Sequence, residues 1–130
     1  MHLIVKDHFQ NPRNLGDLDR PDATATVENP VCGDVLKLDL EIRDGQIVRV
    51  RFKAMGCSTA IAASSMLTLM LEGKNWTEAL AIRREDVAKK LGGLPSSKIH
   101  CSVLAEHAIR AAAKDYLTHH SDPALAKLLE

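Results

Sequence analysis

The fold of this 130-residue chain is decided by the stretch Val35-Leu36-Lys37-Leu38-Asp39-Leu40-Glu41-Ile42-Arg43-Asp44-Gly45-Gln46-Ile47-Val48-Arg49-Val50-Arg51-Phe52-Lys53-Ala54. Apolar and charged residues alternate on both sides of the Asp44-Gly45 pair. The apolar positions are Leu36, Leu38, Leu40 and Ile42 before the pair and Val48, Val50, Phe52 and Ala54 after it. A period of two predicts half-buried strands, and an Asp-Gly pair between two such runs predicts a tight turn. We therefore expect an antiparallel hairpin with one apolar face.

Other predicted elements would cover that face. Residues 23–28 supply a third strand at the hairpin's edge, and the uncharged residues 60–71 form a buried helix that begins at Cys57. Further helices are predicted to end within residues 7–16, to start at Asn75, and to span residues 84–91 and 124–129. A long helix is predicted to start near Cys101. Its buried stripe consists of Leu104, Ala105, Ala108, Ile109, Ala112 and Tyr116. The pattern predicts an α+β fold, a small three-stranded antiparallel sheet packed against several helices, as a single domain over residues 1–130.

Composition excludes several classes of protein. Lysine plus arginine equals aspartate plus glutamate at 17 each, so the net charge favours neither nucleic acid nor an anionic membrane as a partner. The apolar run at the amino terminus is too short for a secretory signal, and no later segment approaches about 18 uninterrupted apolar residues. We expect a cytoplasmic protein, because unpaired thiols survive in that reducing compartment.

Three cysteines dominate the candidate chemistry. They lie in Pro30-Val31-Cys32-Gly33-Asp34, Met55-Gly56-Cys57-Ser58 and Ile99-His100-Cys101-Ser102. An odd number cannot pair completely within one chain, whereas three thiolates plus a carboxylate or an imidazole give the four ligands that zinc or an iron-sulfur cluster requires. Two of the cysteines lie at predicted helix starts, where the helix dipole favours the thiolate. The cysteines with Asp34 and His100 therefore predict a metal-sulfur site.

Several ordered motifs resemble one family, the IscU/NifU-type iron-sulfur cluster assembly scaffolds. The matching segments are Asp7-His8-Phe9-Gln10-Asn11-Pro12-Arg13-Asn14, Cys32-Gly33-Asp34, Phe52-Lys53-Ala54-Met55-Gly56-Cys57, Ala60-Ile61-Ala62-Ala63-Ser64-Ser65 and Lys98-Ile99-His100-Cys101-Ser102 with Leu104-Ala105-Glu106. The resemblance implies a SufE/NifU-like α+β domain that brings the three cysteines together at one exposed end. It also implies the family's activity, which is to build a transient 2Fe-2S cluster from iron and desulfurase-derived sulfur and pass it to apo-proteins. Such a protein is a platform more than an enzyme.

The resemblance also assigns roles to individual residues. It makes Cys32, Cys57 and Cys101 cluster ligands and leaves the fourth position open between Asp34 and His100. Oxygen or imidazole should hold cluster iron less tightly than a fourth thiolate would, which suits a cluster that has to leave. Cys101 is the implied persulfide acceptor. Lys98 is an accessory candidate that would lower the pKa of that thiol or pair with Asp34 when metal is absent.

Partners follow from the same resemblance. A cysteine desulfurase would supply sulfur, and a frataxin-like protein, a ferredoxin, Hsp70/J-type chaperones and apo-protein acceptors complete the implied set. A homo-oligomer could form around a bound cluster. Many bacterial members carry Leu-Pro-Pro-Val-Lys as a chaperone-docking segment, and here it reads Leu94-Pro95-Ser96-Ser97-Lys98, which puts chaperone-assisted release in doubt. Zinc is expected to occupy the same thiolates in the apo or purified form.

Other functions fit the sequence less well. The nearest is a zinc-dependent sulfurtransferase of the same fold that accepts persulfide from a desulfurase, but its members typically carry an insertion between the second and third cysteines and lack the histidine found here at His100. A structural zinc domain would use short-spaced ligand pairs, and a cysteine hydrolase would need a base from elsewhere in the fold. The other histidines are interpreted as surface or helix-face residues: His2, His8, His107, His119 and His120.

Overall fold

A three-stranded antiparallel sheet forms the centre of the molecule. The computed structural model describes residues 3–30, 33–95, 98–99 and 102–130. The strands β1 (Ala23–Glu28), β2 (Val35–Arg43) and β3 (Gln46–Met55) lie in the order β1-β2-β3. The α+β class, the hairpin and the third strand at its edge are confirmed.

The hairpin contains a β-bulge that the sequence pattern did not predict. Glu41 pairs with Arg49 and Ile42 with Ile47, so Val48 is an extra residue in β3. Val48 is 41% exposed, whereas Ile47 is 1% exposed. The prediction that Val48 shares the buried face of Val50 is therefore wrong, because the extra residue reverses the alternation and turns Ile47 inward.

Six helices surround the sheet within the described ranges. They are α1 (Leu3–Gln10), α2 (Ser58–Leu71), α3 (Trp76–Leu80), α4 (Arg84–Lys90), α5 (Val103–His119) and α6 (Pro123–Leu128). The capping box predicted at the start of α3 is present, with Asn75 accepting from the Glu78 N–H and Glu78 accepting from the Asn75 N–H. None of these helices is long and apolar enough to cross a membrane, as far as the described residues go.

The core lies between the sheet and the two longest helices. Helix α5 packs on β1 and β2, and α2 packs on β3 and on α1. The predicted stripe of α5 is buried from Leu104 to Ala112, while Tyr116 is only partly buried. Leu125 of α6 is 1% exposed, so the carboxy-terminal segment docks on the body. A fully buried leucine of this kind contributes about 1.5–3 kcal/mol.

A buried polar seam joins α1 to α2. His8 is 4% exposed, and its Nδ1 lies 2.8 Å from Ser65 Oγ. The same oxygen accepts a hydrogen bond from the Arg13 backbone N–H at 2.9 Å, so one hydroxyl of α2 contacts both the His8 ring and the chain that follows α1. His8 therefore lies on a helix face but not at the surface, because the Ser65 hydroxyl of α2 gives the buried ring a partner. His107, His119 and His120 are exposed, as predicted.

We expect His8 to make the stability of this seam depend on pH. Burial lowers the pKa of His8 below its ordinary 6.5. The positive charge of Arg13 lowers this pKa further by a smaller amount, and the negative charge of Asp7 opposes both effects. The unfolded chain then binds the proton more readily, so the free energy of unfolding falls as the pH drops below about 6.5, by at most about 1.4 kcal/mol per pH unit. Urea unfolding between pH 7.5 and 5 should show a shallower pH dependence for His8→Gln than for the wild-type chain. His107→Gln, an exposed control, should leave the dependence unchanged; equal slopes for wild type and His8→Gln would contradict the expectation.

Candidate functional site

The β1–β2 connection continues the sheet ladder for one further rung. The Asn29 N–H donates to the Asp34 carbonyl at 2.8 Å, and the Gly33 N–H donates to the Asn29 carbonyl at 2.7 Å. Gly33 has a φ of 74°, which a glycine adopts without strain. Cys32 falls in this loop by sequence, between the first two strands as predicted, but it lies outside the described residues. The loop therefore fixes Asp34 at the start of β2.

Asp34 packs against the residue that precedes Cys57. The β2–β3 register ends with Val35 opposite Met55, so Asp34 and Gly56 face each other one position further on. Asp34 is 5% exposed, and a Cβ built on Gly56 would collide with its carboxylate, lying 2.8 Å from Cγ. The carboxylate thus occupies the space above Gly56. Two of the predicted ligand residues, Asp34 and Cys57, are consequently neighbours at the open end of the hairpin.

Cys57 occupies the N-cap of α2. Its backbone is extended, with φ −71° and ψ 166°, and its side chain is exposed. The Cys57 side chain makes no capping hydrogen bond to this 14-residue helix, and the first turn of the helix contains no acidic residue. The Cys57 sulfur therefore lies at the positive end of the α2 helix dipole and is open to an incoming metal ion. The predicted helix start is confirmed.

Lys98 lies close to the same helix start. It lines a cavity of about 510 Å³ between α1, the first turn of α2 and the loop after α4, together with Val5, Ser58, Thr59, Gly93, Leu94 and Pro95. Lys98 is exposed, which suits a group that acts on an incoming sulfur donor. The ion pairs formed within the described residues do not include one between Lys98 and Asp34. Of the two roles considered for Lys98, the ion pair with Asp34 is therefore absent from the structure.

Comparison with known proteins places the chain in a family. Residues 2–122 match the sequence profile described as NifU-like N terminal domain. The chain belongs to this family. It is 51% identical over 112 residues to the iron-sulfur cluster assembly scaffold protein IscU 1 of Archaeoglobus fulgidus, a match that covers 86% of this chain and 73% of the relative. It is 47% identical over 119 residues to the iron-sulfur cluster assembly enzyme IscU of Drosophila melanogaster, covering 88% and 77% of the two chains.

Solved structures support the same fold for this NifU-like chain. The crystal structure of the amino-terminal part of a NifU-like protein from Brucella abortus superposes with a TM-score of 0.70. That match covers 91% of this chain and 94% of the other at 17% sequence identity, so it shows the fold alone. The SufE/NifU-like architecture expected from the resemblance is therefore confirmed.

The structure brings together only part of the predicted ligand set of this NifU-like domain. Asp34 and Cys57 are adjacent, whereas Cys32, His100 and Cys101 lie outside the described residues and their convergence stays a prediction. Within the described ranges, no three histidine, cysteine, aspartate or glutamate side chains are grouped closely enough to hold a metal ion. A thiolate beside a carboxylate at an exposed strand end can supply two ligands to iron or zinc, which fits the donor set that the sequence predicts.

Sequence reasoning missed two features of the site. Gly56 is required by the close approach of Asp34. The sequence feature that could have revealed this is the position of Gly56 directly before a candidate ligand cysteine, at the end of a predicted strand. Arg84 and Glu106 join the starts of α4 and α5, and their signal was a pair of opposite charges in the first turns of two predicted helices. Neither Gly56 nor the Arg84–Glu106 pair belongs to the predicted ligand set.

Proposed function

We propose that this chain is a scaffold for the assembly of a transient 2Fe-2S cluster, which it builds from iron and desulfurase-derived sulfur and then transfers to apo-proteins. One observation carries the proposal: the buried Asp34 carboxylate lies against Gly56, beside an exposed Cys57 at the positive end of α2. The relatives named as iron-sulfur cluster assembly scaffolds support it. The chain then acts as scaffold and sulfur acceptor rather than as an enzyme with turnover of its own.

The proposed ligands are the thiolates of Cys32, Cys57 and Cys101, with Asp34 or His100 in the fourth position. Thiolates bind iron strongly, whereas a carboxylate oxygen or an imidazole binds it less firmly and exchanges more readily. The fourth position is therefore where an acceptor thiolate can enter. The open end of the hairpin suits this exchange because Cys57 is exposed there.

Sulfur delivery is proposed to use Cys101 as the acceptor. Its thiolate attacks the outer sulfur of the desulfurase persulfide, which forms a Cys101 persulfide and releases the desulfurase cysteine as a thiolate. Each transferred sulfur then needs two electrons to become sulfide, and a ferredoxin is the proposed donor. Lys98 would favour the attacking thiolate by its positive charge. Further proposed partners are a frataxin-like protein and chaperones of the Hsp70/J type. The chaperone-docking segment around Ser96-Ser97 lies outside the described residues. The proposal also includes a cytoplasmic setting.

Anaerobic reconstitution tests the proposal. The chain is incubated with ferrous iron, L-cysteine, a cysteine desulfurase and a reductant, and the visible absorption is followed before and after addition of an apo-ferredoxin. We expect a 2Fe-2S chromophore that moves to the ferredoxin, and its loss in Cys57→Ser, because that side chain is exposed and its replacement removes a ligand without opening the core. Stoichiometric zinc that iron cannot displace, with faster desulfurase turnover, would instead establish the zinc-dependent sulfurtransferase.

A further inference from the structure

Helices α4 and α5 are joined where each of them begins. The Glu106 carboxylate, in the first turn of α5, accepts a hydrogen bond from the Arg84 backbone N–H at 2.7 Å. It also accepts from the Arg84 guanidinium, with Nε 3.3 Å from Oε1 and Nη2 3.3 Å from Oε2. One side chain of α5 therefore binds both the backbone and the side chain of the first residue of α4.

A second contact runs in the opposite direction. Ser102, the N-cap residue of α5, is 0% exposed, and its Oγ lies 3.1 Å from the Arg84 carbonyl oxygen and 2.7 Å from the Ile99 carbonyl oxygen. Its single hydroxyl proton is shared between these two acceptors. The N–H of Arg84 is thus held by Glu106 and its carbonyl by Ser102. We call this pair of contacts the cross-cap.

Burial makes the cross-cap more than a surface ion pair. The Glu106 side chain is 15% exposed and that of Arg84 is 38% exposed. Burial alone would raise the pKa of Glu106, but the hydrogen bonds and charge of Arg84 outweigh it and the pKa is lowered. The carboxylate is therefore charged in the folded chain, and hydrogen bonds to a charged acceptor are stronger than those between neutral groups.

We propose that Glu106, Arg84 and Ser102 are positioning residues for the cluster, because the cross-cap fixes the backbone at Ser102, the residue that directly follows Cys101. The inference rests on the proposed function, which makes Cys101 a ligand. Ser102 also binds the Ile99 carbonyl, so the chain is anchored on both sides of the His100-Cys101 pair. Groups that orient metal ligands typically change metal affinity 10- to 100-fold when they are removed.

Cobalt binding tests this role separately from stability. Co²⁺ is added to the wild-type chain, to Glu106→Gln and Ser102→Ala, and to the control Glu85→Gln, which removes a charge from the exposed residue next to Arg84. We expect both cross-cap variants to raise the dissociation constant for Co²⁺ about 10- to 100-fold and to alter its visible d–d bands. The control should match the wild type. Far-UV circular dichroism, recorded well below each unfolding midpoint, ensures that only folded protein is compared.

Two outcomes overturn different parts of the inference. If Glu106→Gln and Ser102→Ala lower the unfolding midpoint but keep the wild-type cobalt affinity and spectrum, the cross-cap only stabilises the fold and its positioning role is excluded. If the wild-type chain itself shows no thiolate-to-cobalt charge-transfer band, the proposed ligand set fails. Arg84→Lys keeps the backbone contact to Glu106 and should give an intermediate dissociation constant, so a wild-type value in this variant would count against the guanidinium's part.

Discussion

The Asp34→Ala variant is expected to retain its assembled cluster about ten times longer than the wild-type chain, with a smaller effect on assembly. Asp34 is buried against Gly56, the residue before Cys57, so its carboxylate lies at the Cys57 end of the proposed ligand set. Like charges a few ångströms apart repel by on the order of 1 kcal/mol or more in partly buried surroundings, and about 1.4 kcal/mol corresponds to a tenfold change. Removal of the carboxylate both relieves this repulsion and deletes the readily exchanged oxygen.

The chain is separated from an added apo-ferredoxin at timed intervals, and the visible absorption that remains on the chain measures this lifetime. Asp34→Asn should behave like Asp34→Ala, since it removes the charge while it keeps the shape. Asp19→Ala removes an exposed carboxylate and should decay at the wild-type rate. Faster cluster loss in Asp34→Ala would show that Asp34 mainly holds the cluster, and the account of the fourth ligand would then be wrong.

Gly56→Ala is expected to damage the same site from the opposite strand. The added Cβ would lie 2.8 Å from Cγ of Asp34 and 3.2 Å from its Cβ, so the carboxylate or the end of the hairpin has to move. Overpacking of this kind typically costs about 1–3 kcal/mol. Because Cys57 is the next residue, we expect the initial rate of cluster assembly to fall by more than about tenfold, together with a lower unfolding midpoint.

The chain offers a matched control and a direct test of the contact. Gly16 also has a positive φ, 138°, but a Cβ built there meets nothing within 4 Å, so Gly16→Ala carries the backbone strain without the collision. In an Asp34→Ala background, the collision with the carboxylate is gone. Gly56→Ala should then be less destabilising than in the wild-type chain. The difference between the two losses in the free energy of unfolding should be at least about 1 kcal/mol. Equal costs in the two backgrounds would show that Asp34 and Gly56 do not interact.

Most of the architecture follows from local patterns. The alternation around Asp44-Gly45, the uncharged run in α2 and the capping box at Asn75 each involve residues close together in sequence, and each is present. What the patterns could not predict depends on distant partners. Burial of His8 requires Ser65, which lies 57 residues away in the sequence. The bulge depends on which residue of β2 pairs with Arg49, which alternation along a single strand does not reveal.

The candidate site was predictable as a set of residue types more than as a geometry. Three cysteines with Asp34 and His100 suggested the ligands, and adjacency of Asp34 and Cys57 agrees with that set. The tight fit between Asp34 and Gly56 could not be predicted, because it depends on the pairing register at the far end of the hairpin. The same limit applies to the cross-cap, whose residues Arg84 and Glu106 belong to different helices.

The bulge at Val48 determines which residue stands opposite Asp34. Next to the turn, Arg43 pairs with Gln46; if that register continued unbroken, Asp34 would face the long side chain of Met55. The extra residue moves β3 along by one position, and Gly56 arrives there instead. The length of β3 is thus a determinant of ligand geometry in its own right. An insertion or deletion of one residue near Val48 would keep every ligand residue in the sequence but change which residue packs against Asp34. A family alignment that treats the hairpin as a neutral spacer would overlook this effect.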